Sequence, residues 1–357
     1  MKLNSVLQGN TLEILKTLPD ESIDTVVTSP PYYQTRYYPG AECVWGGNTD
    51  CDHQWEDWNG WQKCKLCGAL WGELGLEPTP ELYIEHLVEI FLEVKRVLKK
   101  TGTFWLNIGD VYNSSGTLSY RIWDDNRPKE DKRPKMPEIK VKSSYPPKSL
   151  LLLPFRLAER LIENGFILRN VVVWNKTNPL PQPIKDRFKS AWEPILFFTK
   201  DTHYYFNREE VAIPYAPATL KRIRYANYSN KTRYAGLTNE HWDKAAQRTY
   251  QSIPFHPLFE QEKFEEKSAT TMPTDVWVIS TQPFPDYHFA IFPEKLVELC
   301  ILAGCPEDGI VLDPFAGSGT TLVVAKKLGR KYIGIEIVDE YIRIINKRLE
   351  RIGEFLL

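Results

Sequence analysis

The chain lacks a large net charge, a long hydrophobic run and a recognisable secretion signal. Its 45 Lys and Arg nearly balance 46 Asp and Glu, for a net charge of −1, so nucleic-acid binding would have to come from local basic patches. No apolar run is long enough to span a membrane, and no amino-terminal segment resembles a signal peptide. We therefore expect a soluble cytoplasmic protein in a reducing compartment.

Cysteine is scarce, with six residues, and two of them form a C-x-x-C pair. In a chain without a secretion signal, such a pair indicates metal or redox chemistry rather than disulfides. Cys64 and Cys67 form this pair, and Cys43 and Cys51 are the preferred partners for a tetrahedral zinc site, with His53 able to replace one of them. Four protein ligands leave no open position, so such a zinc would be structural. The alternative is a set of reduced cysteines in an aromatic loop.

The glycine loop near the carboxyl end is neither of the G-x-G-x-x-G type nor followed by the lysine of a P-loop. It runs from Asp313 to Thr320 (D-P-F-A-G-S-G-T), after a predicted strand and before a predicted helix. A glycine turn at a helix amino end lets the backbone approach a ligand closely. Glu336 ends the next predicted strand. An acidic residue about 20 residues after such a loop commonly binds ribose hydroxyls.

The stretch Thr28-Ser29-Pro30-Pro31-Tyr32 follows the apolar run from Ile23 to Val27, which predicts a buried strand. Two prolines donate no backbone hydrogen bonds, so the strand must stop there. The turn presents the Ser29 hydroxyl, outward-facing carbonyls and the ring of Tyr32. Taken alone, it could also be a proline-terminated strand with an incidental tyrosine.

Together, the two stretches resemble the S/D/N-P-P-Y catalytic motif and the F-x-G-x-G cofactor motif of amino-methyltransferases that use S-adenosylmethionine. The catalytic motif comes first, which is the order of the beta class of DNA N4-cytosine and N6-adenine methyltransferases. The resemblance implies an α/β fold, namely a Rossmann-like class I methyltransferase sheet with circularly permuted motif order, a zinc-knuckle insertion and a target-recognition insertion. It also implies S-adenosylmethionine as cofactor, DNA as partner and, in a restriction-modification setting, a cognate restriction endonuclease.

The same resemblance assigns the site residues. Ser29 and the Pro30 carbonyl would accept the hydrogens of the target amine, Pro31 would stiffen the turn, and Tyr32 would stack on a base flipped out of the duplex. Many relatives carry Asp where this chain has Asn10. The implied cofactor residues are Asn10, Thr28, Asp313, Phe315, Gly317, Gly319, Thr320, Glu336 and Ile337.

Serine in the first motif position favours cytosine N4 over adenine N6 as the target. An N6-adenine DNA methyltransferase and an N4-cytidine RNA methyltransferase remain open alternatives. No cysteine has the Pro-Cys context of a carbon-5 methyltransferase, which argues against that class. A non-catalytic nucleic-acid-binding protein with this fold would be expected to have lost Ser29, Tyr32 or the glycines.

Basic residues cluster between Lys221 and Arg248, with seven Lys or Arg against two acids and with interleaved aromatics. Cations for phosphates and rings for bases are the footprint of nucleic-acid contact, although a solvated helical face would look similar. Arg36 lies in an aromatic segment that would either cover the base or pack as a surface loop. The candidate nucleic-acid contacts are Arg36, Lys221, Arg222, Arg224, Lys231 and Arg233.

The domain organisation that we predict has five parts. They are a catalytic βαβ opening (1–40), a zinc-knuckle insertion with little regular pattern (41–79), the catalytic half (80–206) with a mobile loop (114–147), a target-recognition region (207–273) and a cofactor half (274–357). Helices are predicted over 80–99, ended by Thr101-Gly102, and over 149–164. Asp110 is a plausible but unassigned site residue, and Lys176 and Glu193 fall in a W-x-K-x-N-x-x-P…R…E pattern that also resembles the family.

Overall fold

The computed structural model describes residues 1–113, 143–179, 181, 184–216, 218–219, 270–281 and 292–354. Its strands are β1 (Ser5–Gln8), β2 (Ile23–Thr28), β3 (Glu42–Trp45), β4 (Trp55–Trp58), β5 (Trp61–Cys64), β6 (Leu70–Glu73), β7 (Leu98–Asn107), β8 (Ile167–Asn175), β9 (Trp192–Thr199), β10 (Ile213–Pro214), β11 (Thr270–Thr271), β12 (Val276–Val278), β13 (Ile310–Asp313) and β14 (Lys331–Glu336). The helices are α1 (Thr11–Thr17), α2 (Pro80–Val97), α3 (Leu153–Glu163), α4 (Arg208–Val211), α5 (Glu294–Gly304), α6 (Thr320–Lys327) and α7 (Asp339–Glu354).

Eight strands form one mixed sheet in the spatial order β1-β14-β13-β2-β7-β9-β8-β12. Among the described strands of this sheet, only β9 runs antiparallel to its neighbours. β2 and β13 are buried almost throughout, the pattern of a sheet covered on both faces. Because β2, β7, β13 and β14 are parallel, their carboxyl ends meet at one edge of the sheet, where open α/β sheets bind ligands. The predicted α/β class is confirmed.

Helix α2 shows how local sequence and sheet pairing divide the chain. It begins at Pro80 because the Thr79 hydroxyl accepts the Leu82 amide at 3.2 Å, and a first-turn proline loses no helical hydrogen bond. It ends at Val97, since Leu98 is already paired with Ile23 of β2. The predicted end at Thr101-Gly102 is therefore wrong. His86 is buried on this helix, as are the apolar residues Leu87, Ile90, Phe91 and Val94.

Helix α3 begins at Leu153, four residues later than the sequence predicts. Leu152 has a left-handed φ of 56°, and Leu150 forms a β-bridge with Tyr112. Asp110 Oδ1 accepts the amide of Leu153 at 3.1 Å and that of Val111 at 2.9 Å. Asp110 thus caps this helix, a long-range contact that the local pattern does not contain.

Residues 42–73 form a separate four-stranded antiparallel sheet, which we call the ribbon, in the order β3-β6-β5-β4. No strands were predicted in this segment. The strands are only four residues long, and their tryptophans do not alternate cleanly, since Trp45 and Trp61 are buried whereas Trp71 is exposed. Such short segments give no clear strand period.

The chain divides into two units, one of Met1–Asn207 with Asp275–Leu357 and one of Arg208–Thr274. The large sheet and the ribbon belong to the first. In the second, the described residues form α4 and the antiparallel pair of β10 and β11. Of the predicted mobile loop (114–147), residues 114–142 lie outside the described part of the chain. In the part of the chain that is described, no helix is both long and apolar enough to cross a bilayer.

Candidate active site

The turn after β2 is held in place by its own prolines and by a contact with helix α2. The chain leaves the buried strand at Thr28 and passes through Ser29, Pro30 and Pro31 to Tyr32. The Tyr83 hydroxyl of α2 donates to the Pro31 carbonyl at 2.8 Å. The two prolines and this hydrogen bond give the turn little freedom before any substrate arrives.

Tyr32 lies at the centre of a polar network at the carboxyl end of β7. Its hydroxyl is 3.1 Å from Asn107 Oδ1 and 3.0 Å from Glu193 Oε2, and it accepts a long hydrogen bond of 3.4 Å from the Ser29 hydroxyl. A Cβ at Gly109 would lie 2.6 Å from the Tyr32 ring, so the ring packs directly on that glycine. Burial, with the nearby Glu193 carboxylate, raises the pKa of Tyr32 well above its usual value.

Asn107 and Glu193 were not predicted as site residues, and Lys176 pairs with Glu193 in the same network. Asn107 ends β7 and Glu193 lies near the start of the antiparallel neighbour β9, which brings them together across the sheet. The sequence did contain a signal for this pair, namely a polar residue at the end of one apolar strand and another at the start of a second apolar strand. The K…E pattern pointed to Lys176 and Glu193 without giving them a role.

The predicted cofactor residues gather at the ends of β13 and β14, beside the turn. The Thr28 hydroxyl donates to Asp313 Oδ1 at 2.6 Å, and the Phe315 amide donates to the same oxygen at 3.1 Å. Burial raises the pKa of Asp313 to about 6. Asp313 Oδ2 is buried and has no hydrogen-bond partner within the described residues.

The glycine loop bends back onto Glu336. The amides of Gly317 and Val338 each donate to the Glu336 carboxylate at 2.8 Å, and burial raises its pKa to about 7. Gly317 and Gly319 adopt left-handed φ values of 52° and 81°, which permit this tight return.

The other cofactor candidates surround this loop. Thr320 is buried at the start of α6, whereas Phe315 and Ile337 are half-buried. Asn10 Oδ1 accepts the Glu13 amide at 3.2 Å and so caps α1, and the neighbouring Thr11 hydroxyl donates to the Pro314 carbonyl at 2.8 Å. The structure therefore gives Asn10 a capping role at the edge of the same site.

Four possible metal ligands meet at one end of the ribbon. They are Cys51, His53, Cys64 and Cys67, whose ligand atoms all lie within 4.8 Å of one another. The sequence favoured Cys43 as a ligand with His53 as its substitute, and the structure brings His53 rather than Cys43 into this cluster. Cys43 is on β3, where its sulfur faces the Gly72 carbonyl at 3.9 Å and burial raises its pKa to about 12.

The nucleic-acid candidates are mostly outside the described residues, namely Lys221, Arg222, Arg224, Lys231 and Arg233. Arg36 is described and is half-buried beside Tyr38. Burial raises the pKa of Tyr38, and the Arg36 guanidinium opposes this effect. Arg36 thus lies four residues beyond Tyr32, with its guanidinium beside the Tyr38 hydroxyl.

Comparison with known proteins agrees with this geometry. The family described as DNA methylase matches residues 23–347. The type II methyltransferase M.SmaI of Serratia marcescens is 32% identical over 346 residues, covering 97% of this chain and 90% of the relative. The solved PvuII DNA methyltransferase (cytosine-N4-specific) has a TM-score of 0.55 at 21% identity, covering 98% of this chain and 90% of that one. A protein described as a putative DNA modification methylase of Thermus thermophilus, complexed with S-adenosyl-L-methionine, has a TM-score of 0.52 at 20% identity, covering 97% and 93%. These structures confirm the predicted class I methyltransferase fold.

Proposed function

Because the chain belongs to the DNA methylase family, and is thus a DNA methyltransferase of the N4/N6 type, we propose that it transfers a methyl group from S-adenosylmethionine to the exocyclic N4 of cytosine in duplex DNA. The observation that carries this proposal is the hydrogen bond of 2.6 Å between Thr28 and Asp313. It joins the last residue of the strand that leads into the catalytic turn to the last residue of the strand that leads into the glycine loop. A group bound by the loop is therefore delivered next to Ser29 and Tyr32.

The residues at the ends of β13 and β14 fit S-adenosylmethionine. The buried Asp313 Oδ2 lacks a partner within the described residues, which suits an acceptor for the ligand's ammonium group. Glu336 offers a carboxylate for the ribose hydroxyls, and the left-handed glycines bring loop amides close to the ligand. Phe315 and Ile337 supply the apolar walls. Once bound, the cofactor supplies an electrophilic methyl group.

The catalytic turn would prepare the amine. An exocyclic amine is a poor nucleophile because its lone pair is delocalised into the base ring. Acceptance of its hydrogens by the Ser29 hydroxyl oxygen and the Pro30 carbonyl draws the lone pair towards the methyl group. Tyr32 stacks on the flipped base, and the rate gain comes mainly from alignment.

Ser29 is the basis for choosing cytosine N4, and product analysis tests the choice. Wild-type enzyme, Ser29→Ala and Tyr32→Ala are incubated with labelled S-adenosylmethionine and either duplex DNA or folded RNA, followed by nucleoside analysis. Ser5→Ala serves as control because its exposed hydroxyl contacts only the Lys2 carbonyl among the described residues, at the opposite edge of the sheet. We expect N4-methylcytosine in DNA, with rates at least about 100-fold lower in the two turn variants and unchanged in the control. A product of N6-methyladenine would refute the assignment of cytosine as the target base. Label in RNA alone would refute DNA as the substrate.

We also propose that the ribbon holds a structural zinc ion through Cys51, His53, Cys64 and Cys67. Tetrahedral zinc with Zn–S bonds of about 2.3 Å places two sulfurs about 3.8 Å apart. Cys51 and Cys64 have their sulfurs 3.9 Å apart, and Cys67 Sγ is 3.4 Å from His53 Nδ1. Both separations are close to those that a tetrahedral zinc site requires, which supports the proposal. We expect one zinc per chain by elemental analysis, lost in Cys64→Ser and retained in Cys43→Ser, and equal zinc in both variants would refute the ligand set.

For DNA contact we propose the region 207–273, with Lys221, Arg222, Arg224, Lys231 and Arg233, together with Arg36 near the turn. The separate unit Arg208–Thr274 supports an independent target-recognition function. The similarity to a type II methyltransferase supports a cognate restriction endonuclease. Alanine at the five basic residues should weaken DNA binding and reduce its salt dependence, as each lost phosphate contact lowers the slope by about 1.

A further inference from the structure

Methylation of an exocyclic amine releases a proton, and the site must provide a route for it. The N–C bond forms as the carbon–sulfur bond breaks, with the electron pair left on sulfur. The nitrogen then carries one hydrogen too many. The Ser29 hydroxyl, which accepts an amino hydrogen in the proposed function, is not a strong base, and its own hydrogen bond leads to Tyr32. The proton therefore has to pass through neighbouring side chains.

We propose that this proton travels from the amine through Ser29 and Tyr32 to the carboxylate of Glu193. The proposal rests on the proposed function of the Ser29 turn. The Ser29 hydroxyl donates to the Tyr32 hydroxyl at 3.4 Å, and the Tyr32 hydroxyl donates to Glu193 Oε2 at 3.0 Å. Each hydroxyl accepts a proton on one side and passes its own proton on. Ser29 and Tyr32 end as neutral hydroxyls, and Glu193 ends protonated.

The Tyr32 hydroxyl has one hydrogen and two acceptors within reach, Asn107 Oδ1 and Glu193 Oε2, and only Glu193 can take the proton. The Asn107 side chain is held by its own donor, with Nδ2 3.2 Å from the Pro194 carbonyl and 3.4 Å from Glu193 Oε2. Its Oδ1 therefore faces the Tyr32 hydroxyl at 3.1 Å. An amide oxygen orients the phenol without accepting its proton. Among the described residues, Glu193 is the one carboxylate in this hydrogen-bonded group.

Glu193 also has a way to lose the proton again. Its side chain is 20% exposed, and that of its partner Lys176 is 19% exposed, so the end of the path reaches water. Lys176 pairs with the other carboxylate oxygen, Oε1, and leaves Oε2 to Tyr32. Within the described structure, the charged and titratable groups facing Glu193 are thus Lys176 and Tyr32. In this proposal Glu193 acts through Tyr32, as a positioning and proton-accepting residue.

A double-mutant cycle tests the path. Glu193→Gln keeps an oxygen that can accept from Tyr32 but cannot take its proton, and Tyr32→Phe keeps the ring but removes the hydroxyl. We expect each to lower the single-turnover methylation rate by about 10- to 100-fold, with the Kd for DNA and for S-adenosylmethionine within about twofold of wild type. The double variant should be no slower than Tyr32→Phe, because Glu193 acts only through the missing hydroxyl. Glu193→Asp should recover part of the rate.

Glu163→Gln is the matched control, since Glu163 is exposed and, among the described residues, pairs only with Arg160 on α3. A Glu193→Gln rate within about twofold of wild type, or losses that multiply in the double variant, would overturn the path. Rates are measured on whichever amino base the wild type methylates. A product of N6-methyladenine would therefore refute the base assignment and leave the proton path to stand or fall on its own cycle.

Discussion

His86 Nδ1 lies 3.0 Å from Oε1 of Glu77, a carboxylate with no exposed surface. The imidazole also stacks on Trp45 at 4.0 Å and on Trp61 at 5.6 Å between ring centroids, which ties α2 to the ribbon. Glu77 in turn accepts the Gly75 amide at 2.8 Å, and its carbonyl accepts Gln34 Nε2 at 2.9 Å. Since Gln34 follows Tyr32 by two residues, this buried pair connects the ribbon with the catalytic turn.

The first prediction is that His86→Ala lowers the free energy of unfolding by about 2 kcal/mol or more, because it removes the stacked ring and leaves the buried Glu77 carboxyl group without its imidazole hydrogen-bond partner. Urea denaturation, with an unchanged slope and a lower midpoint, measures the loss. His203→Ala is the control, since the His203 side chain is 95% exposed and should change stability by less than about 0.5 kcal/mol. Equal midpoints for the two variants would show that the pair is not structural.

The second prediction concerns removal of the proposed zinc. The ribbon strand β6 leads directly to Gly75, whose carbonyl accepts the Gln34 amide at 2.6 Å. Loss of the metal should loosen this attachment and lower methyl transfer by about tenfold or more, because small misplacements of a catalytic turn are costly. Wild type and Cys43→Ser should both respond to a chelator and recover with zinc, whereas Cys64→Ser should be impaired from the start. Full activity of metal-free wild type would separate the ribbon from catalysis.

Several elements could be predicted because their signals are local. The apolar run that predicts β2 ends at two prolines, and the structure ends that strand at Thr28. The predicted strand that corresponds to β14 ends at Glu336, as it does in the structure. In both cases the sequence contains its own terminator.

Contacts that depend on strand pairing could not be predicted in the same way. Asn107 and Glu193 are 86 residues apart and meet because β7 and β9 are antiparallel neighbours, with Asn107 opposite Ile195. Cysteine spacing alone favoured Cys43, but the pairing of Cys43 with Gly72 places it on the sheet. His53 instead lies in the connection between β3 and β4, beside Cys64 and Cys67. Only the strand register of the ribbon shows that His53, and not Cys43, reaches this cluster.

The third prediction is that affinity for S-adenosylmethionine rises with pH. Burial raises the pKa of Glu336 to about 7 and that of Asp313 to about 6, so near neutrality the free enzyme holds protons that the ligand must displace. Because the ionised carboxylates bind, the Kd should fall about tenfold between about pH 6 and pH 8, with proton release on binding. The same raised pKa values make the ligand-free fold lose stability as pH rises through this window, since the unfolded carboxyls have already ionised.

Calorimetry in two buffers of different ionisation enthalpy measures both the affinity and the released protons. Glu336→Gln should bind more weakly and lose most of the pH dependence, whereas the exposed neighbour Glu340→Gln should behave like wild type. A Kd for wild type that is constant over this range would contradict the assignment of these carboxylates to the cofactor site.

The fourth prediction separates backbone strain from ligand binding at the glycine loop. Gly317 and Gly329 have left-handed φ values of 52° and 70°, and a Cβ would meet nothing closer than 3.9 Å at Gly317 and nothing within 4 Å at Gly329. Alanine at either position should therefore cost a similar amount of stability, about 1 kcal/mol, in thermal denaturation. Of the two, only Gly317 donates its amide to Glu336 and lies on the loop that we propose binds the cofactor. Gly317→Ala should thus weaken S-adenosylmethionine binding by about tenfold or more while Gly329→Ala leaves it unchanged, and equal Kd values for the two variants would place the cofactor elsewhere.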